Sequence, residues 1–147
     1  MKVTSRFLLL SICTLGLLAS AQGAVETYTI DPVHSSVGFA IRHFFTNVPG
    51  AFTKFSGTIT VDRDHLENSS VTAVIDVGSV DTRTEKRDNH LRSPDFFDAV
   101  KFPSMTFKST AWKQTGEGAF DVTGDLTIRD VTKPVVLKVK LDRKSVV

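Results

Sequence analysis

The chain has 147 residues, with 18 Lys and Arg against 16 Asp and Glu, eleven phenylalanines and a single cysteine. Lys2 and Arg6 account for the whole formal charge of +2, so the rest is neutral with both signs interspersed, and net charge gives no signal for nucleic acid or an anionic membrane. One cysteine excludes an internal disulfide, so a folded domain here is held by its core.

Residues 1–21 carry Lys2 and Arg6, an apolar run over 7–19 and then Ala19-Ser20-Ala21, the layout of a secretory signal with a small-residue cleavage site. A second cut after Gly23 fits the same pattern. The run is shorter than the ~20 residues that span a bilayer, so an exported rather than anchored chain is expected. Cleavage would remove Cys13 and thiol chemistry with it, and Ile12 occupies the place where a lipoprotein signal wants a small residue. Residues 22–147 are expected to form one domain, because no repeat, low-complexity tract or Pro/Gly/Ser linker divides them.

Residues 28–62 read as strands interrupted by a His34-Ser35 turn and a Val48-Pro49-Gly50 turn. Period-two alternation is clear at Phe55, Gly57, Ile59 and Val61 against Ser56, Thr58, Thr60 and Asp62, and it continues in Val71, Ala73, Ile75 and Val77. Residues 81–107, DTRTEKRDNHLRSPDFFDAVKFPSMTF, break that pattern as a charged helical insertion near 84–99. Thr84 or a neighbouring hydroxyl can cap a short helix over 85–92, and Ser93-Pro94 supply the N-cap and first position of a second turn. Strand alternation returns with Met105 and Phe107 facing away from Thr106 and Lys108, then with Phe120, Val122, Gly124, Leu126 and Ile128. The segment GDLTIRDVTKPVVLKV reads as a hairpin closed by Asp130 to Pro134, leading into a strand over 135–141. About seven short strands with one wet face each suit a sandwich or an antiparallel barrel, and the residues favour neither.

His34, His43, His65 and His90 are the first candidates for chemistry, since imidazole is the usual base and metal ligand near neutral pH. No His-x-His or His-x-x-x-His spacing groups them, so no metal site is expected, although His34 and His43 could meet if their strands pair. A Gly-x-Ser-x-Gly elbow is missing, and Asp31, His34 and Ser35 read more simply as a turn than as a triad. No catalysis is expected. Arg87 and His90 lie three apart on one helical side, with Asp88 beside them and Leu91 following. Two roles stay open for this cluster: anchoring strand ends while Leu91, Phe96 and Phe97 are buried, or a lid offering Arg87 or His90 to a polar head group. The ten phenylalanines beyond the leader, against one Tyr and one Trp, fit a solid core or an apolar chamber.

Taken in order, Asp31-Pro32-x-His34-Ser35, Phe39-x-Ile41-x-His43, Gly50-x-Phe52, Phe55-x-Gly57, Arg87-Asp88-x-His90-Leu91, Phe97, Phe102-Pro103, Phe107-x-Ser109, Gly124-x-Leu126-x-Ile128 and Thr132-x-Pro134-Val135 resemble the YceI family of periplasmic, lipocalin-like polyisoprenoid-binding proteins. The resemblance runs from Tyr28 to about residue 141. It implies an all-β, antiparallel lipocalin-like barrel whose bore holds a long isoprenoid lipid, such as an isoprenoid quinone or a polyprenyl phosphate, with no other cofactor, and it suggests homodimers. The implied lining is Val37, Phe39, Ile41, Phe55, Ile59, Ile75, Phe107, Phe120, Val122 and Leu126, with His43 and Arg87 as head-group candidates. Long-chain fatty acids or their amides fit the same bore, and a stress-related interaction protein without lipid cargo is the rival class. The family continues through roughly two more strands beyond residue 141, so an open sheet or incomplete barrel is expected here, with the strand at 135–141 at its edge and ligand retention weakened. The tail over 143–147 matches no expected strand.

Overall fold

A computed structural model describes residues 25–43 and 45–140. The expected leader, both cleavage positions and the tail over 143–147 lie outside the described residues, as does the side chain of His43. The strands are β1 (Val25–Thr29), β2 (Val37–His43), β3 (Thr46–Phe52), β4 (Phe55–Asp62), β5 (Ser70–Asp76), β6 (Val80–Asp81), β7 (Ser104–Gly116), β8 (Ala119–Ile128) and β9 (Val131–Lys140). One helix, α1 (Glu85–Arg92), sits between β6 and β7. The described strand pairs are all antiparallel. They form a six-stranded sheet in the order β1-β4-β5-β7-β8-β9 and a three-stranded sheet in the order β2-β3-β6.

Alternation dictates the faces of the larger sheet. Register aligns Gly57, Ala73, Phe107 and Leu126 in one inward row and Phe55, Ile75 and Met105 in the next. Opposite them, threonines pair across strands on the wet face, with Thr58 and Thr72 hydroxyls 3.0 Å apart and those of Thr127 and Thr132 2.8 Å apart. The 13-residue β7 would carry its alternation out of phase, but a register shift between Ser109 and Ala111 leaves Thr110 unpaired and turns Trp112 inward against Phe120. Two apolar clusters result: Phe107, Phe120 and Val122 with Trp112 and Leu126, and Phe52, Val77, Val80 and Met105 with Val37, Phe39, Ile75, Leu91 and Phe97.

The sheets stay open. β1 and β9 are the two edges of the six-stranded sheet and do not pair with each other, as expected for the strand at 135–141. Pro134 is tolerated there because an edge strand can lose a donor, and Lys133, Lys138 and Lys140 discourage pairing by a foreign strand.

Several local expectations differ from the structure. Nine strands are present among the described residues rather than about seven, because β1 and β6 are short and the expected turn at 48–50 lies inside β3. Pro49 fits there because β6 reaches only Ala51 and Phe52, leaving the outer side of β3 without a ladder at Pro49. The β8–β9 hairpin closes in a two-residue turn at Arg129 and Asp130 rather than over 130–134, with Arg129 at φ 58° and Ile128 paired to Val131. Helix α1 has the expected bounds with Thr84 at its N-cap, but that side chain makes no cap bond and instead accepts from Arg87 Nη2 at 3.1 Å. Ser93 closes α1, its hydroxyl donating to His90 O at 2.7 Å, and its carbonyl accepts from the Phe96 amide at 3.1 Å to begin the expected second turn, which does not grow into a helix.

Candidate functional site

A cavity of about 650 Å³ lies between the β2–β3 hairpin and α1 with the turn that follows it. Phe39, Ile41 and Val48 supply one wall. Register explains it: Ile41 faces Val48 and Phe39 faces Gly50, so three side chains of one hairpin face point the same way. The Phe39 ring lies across Gly50, where even a Cβ would come within 2.3 Å of it. Leu91, Phe96 and Phe97 form the opposite wall, and Ile128 and Arg129 of the β8–β9 turn close one end.

The helix wall is held by a network that begins at β6. Thr82, just past its end, is buried and donates both its amide (2.8 Å) and its hydroxyl (2.6 Å) to Asp88 Oδ1. Arg87 returns to the same residue, donating from Nε to Thr82 Oγ1 at 2.6 Å and from Nη2 to Thr82 O at 2.8 Å. Arg92 donates to Gly78 O and Val80 O, each at 2.8 Å. Burial alone would raise the Asp88 carboxyl, yet the Thr82 hydroxyl and amide, with Arg92 and Arg87 nearby, hold it below the usual carboxylate range. Of the two roles open in the sequence, these bonds make Asp88 and Arg92 anchors. Arg87 is fixed to Thr82 in the same way and also lines the cavity.

The turn after α1 is strapped just as firmly. The amides of Phe97 and Ala99 donate to Leu91 O and Arg92 O, each at 3.0 Å, satisfying carbonyls that the helix end leaves free. Arg129 reaches across from the β8–β9 turn to donate to Phe96 O at 3.1 Å, lies 3.7 Å from Asp98 and stands over the Phe102 ring. The polar residues of the cavity's lining are Thr82, Arg87, His90, Asp95 and Arg129, with His90 Nε2 3.5 Å from Asp95.

Of the residues expected to line a chamber, Phe39, Ile41 and Arg87 meet in this cavity. Val37 and Ile75 pack beside the Phe52 cluster, while Phe107, Phe120, Val122 and Leu126 fill the other cluster. Phe55 and Ile59 are half-buried on the inner face of β4. His43 ends β2 in register with Thr46. Val48, Thr82, Asp95, Ile128 and Arg129 were missed. Val48 was legible as the partner of Ile41 once the 48–50 segment is read as strand, whereas nothing local marks Arg129. The other histidines stand apart: His34 pairs with Asp31 at 2.6 Å and His65 with Glu67 at 3.4 Å. The His34 hydrogen bond, followed by that of the Val33 amide, lowers the Asp31 carboxyl, as a turn requires. Among the described residues no group of three or more His, Cys, Asp or Glu is placed to hold a metal, and no helix is long and apolar enough to cross a membrane.

The YceI-like domain matches residues 28–146. The chain belongs to that family. Its relatives include a UPF0312 protein of Vibrio parahaemolyticus, 41% identical over 114 residues that cover 76% of this chain and 60% of the relative. Protein YceI of Escherichia coli O157:H7 is 42% identical over 137 residues, covering 90% of this YceI-like chain and 71% of its own length. The chain thus spans 60% of the Vibrio protein's length and somewhat more of the E. coli one. Among solved structures, Burkholderia cenocepacia BcnA superposes with a TM-score of 0.75 at 30% identity, over 78% of this chain and 72% of that one. A polyisoprenoid-binding domain from Saccharophagus degradans superposes at 0.51 with 14% identity, over 76% and 60% of the two chains, a likeness of fold alone. The shared architecture is the antiparallel β-fold, open here along β1 and β9.

Proposed function

We propose that this YceI-like chain is the binding body of an exported, periplasmic carrier that takes up the tail of a polyisoprenoid lipid, an isoprenoid quinone or a polyprenyl phosphate, without changing it chemically. The observation that carries this reading is the cavity of about 650 Å³, walled by Phe39, Ile41, Val48, Leu91, Phe96, Phe97 and Ile128, with five polar residues, Arg87 and His90 among them, in the rest of its lining. Its size falls within the ~300–1,000 Å³ of small-molecule sites, and its walls come from β2–β3, α1 and the β8–β9 turn, so it does not depend on closing the larger sheet. The polyisoprenoid-binding domain of Saccharophagus degradans supports the ligand class through its shared fold. At ~0.8 kcal/mol per buried CH2-sized group, each five-carbon unit supplies roughly 3 kcal/mol before ordering costs. A few units then give micromolar affinity, leaving Arg87 and His90 to orient a head group.

Native mass spectrometry and solvent extraction of the purified chain test this. Wild type is expected to carry a prenyl lipid at one per chain, Phe39→Asp none, and Asp121→Ala, on the outer face 2.7 Å from Lys138, as much as wild type. A carboxylate placed among the apolar walls has no partner there, so it expels the tail. A folded Phe39→Asp that keeps its lipid, or wild type with no lipid, would overturn the reading; a bound fatty acid or fatty amide would replace the isoprenoid assignment. Export is tested separately by intact mass of periplasmic material, where the chain is expected to begin at Gln22 and to lack Cys13.

A further inference from the structure

We propose that the rim of the cavity is a membrane-docking face, with Phe45 as its wedge and a bilayer bearing anionic phospholipid as its partner. Phe45, in the turn between β2 and β3, is 100% exposed. A lone exposed aromatic needs no explanation, but this one caps the hairpin whose Ile41 and Val48 line the cavity. At ~3.3 Å per residue it stands roughly 10 Å along the strand beyond Val48, the partner of Ile41. Ile41, Phe96 and Ile128 line the same cavity and are themselves 54%, 48% and 36% exposed, so the apolar lining continues outward onto the surface.

The local charge fits phosphate although the whole chain is balanced. Asp95 faces His90 and Asp98 faces Arg129. Arg42, exposed near the hairpin tip on the face of β2 opposite Ile41, and Lys101, whose Nζ is 5.1 Å from the centre of the Phe102 ring that Arg129 also covers, have no carboxylate within ion-pair distance among the described residues, and they outnumber the one unpaired carboxylate beside Arg129, Asp130. An aromatic wedge with a cation on the same hairpin seats at the boundary of headgroup and acyl chain. The inference rests on the lipid-carrier reading in one respect: a tail that resides in a bilayer reaches the cavity without crossing water only if the rim lies against the bilayer.

Flotation of the purified chain with phosphatidylcholine–phosphatidylglycerol vesicles, against phosphatidylcholine alone, tests the proposal. Bound lipid is measured by extraction in the same preparations. Wild type is expected to float with the mixed vesicles, Phe45→Ser to lose about tenfold in partitioning, and Arg42→Glu to lose most of the preference for phosphatidylglycerol. The rate at which Phe45→Ser takes up lipid from vesicles falls by the same factor, while its circular dichroism and equilibrium lipid content match wild type. Absence of wild-type flotation, or equal flotation of Phe45→Ser, overturns the docking face whatever the extraction shows. Flotation that follows this pattern with no extractable lipid supports the docking face and overturns the cargo reading instead. If Phe45→Ser breaks up a dimer in vesicle-free solution and leaves flotation unchanged, the face joins copies of the chain and the proposal falls.

Discussion

Truncating Phe107 to Ala is expected to cost about 3–5 kcal/mol of stability, read as a lower midpoint in urea with an unchanged slope. Phe107 is 7% exposed and packs with Phe120 and Val122 in the cluster that closes the inner face of β7 and β8. Its ring also covers Gly124, where a Cβ would meet Phe107 Cζ at 2.4 Å and the Lys108 carbonyl oxygen at 2.6 Å. Gly124→Ala alone is therefore expected to cost about 1–3 kcal/mol by overpacking. In the double variant the ring is gone and the Lys108 carbonyl remains, so the two costs add to less than their sum. Strict additivity in that cycle would mean that the ring and Gly124 do not share the space.

Asp88→Ala is expected to be the most disruptive change at the cavity wall. It strips Thr82, 5% exposed, of the acceptor for both its amide and its hydroxyl, at about 1–3 kcal/mol for each donor left buried and unpaired. It also frees the Arg87 and Thr82 pair from the carboxylate that orients them. Asp88→Asn keeps an acceptor and should cost less, and the two variants separate the hydrogen bonds from the charge. Because the Asp88 carboxyl is lowered in the folded chain, its contribution is fully present above about pH 4, the unfolded value, and is lost as pH falls through the folded value. Urea midpoints taken downward from pH 6 should fall more steeply for wild type than for Asp88→Asn below about pH 4. Parallel acid limbs would show that the charge is not what the Thr82 network stabilises.

Much of this was legible in local pattern. Period-two alternation assigned the faces of β4, β5 and β8, because each side chain's face follows from the pleat alone and needs no partner strand. The charged run from Glu85 to Arg92 announced α1 with its observed bounds. It also left Arg87 with two possible roles, since a helix fixes which residues are neighbours on its own surface and not what it packs against. The Val48-Pro49-Gly50 segment misread as a turn shows the complementary failure. Pro and Gly usually punctuate, but an edge without a ladder accepts the proline, and a glycine under Phe39 makes room for a ring from the strand beside it.

By itself, then, the sequence determined strand faces, the position of α1 and the family, all of which rest on short-range periodicity or on the order of residues along the chain. Tertiary structure decided where an apolar chamber exists. Phe107, Phe120, Val122 and Leu126 share the chemistry of Phe39 and Ile41, yet they meet one another across β7 and β8 and fill their space. Phe39 and Ile41 instead face a helix held off at a fixed distance by Thr82, Asp88 and Arg92, and its wall is completed by Arg129 from a turn some forty residues later. Whether apolar side chains become core or cavity depends on how closely the opposing surface is allowed to approach, and long-range hydrogen bonds set that distance.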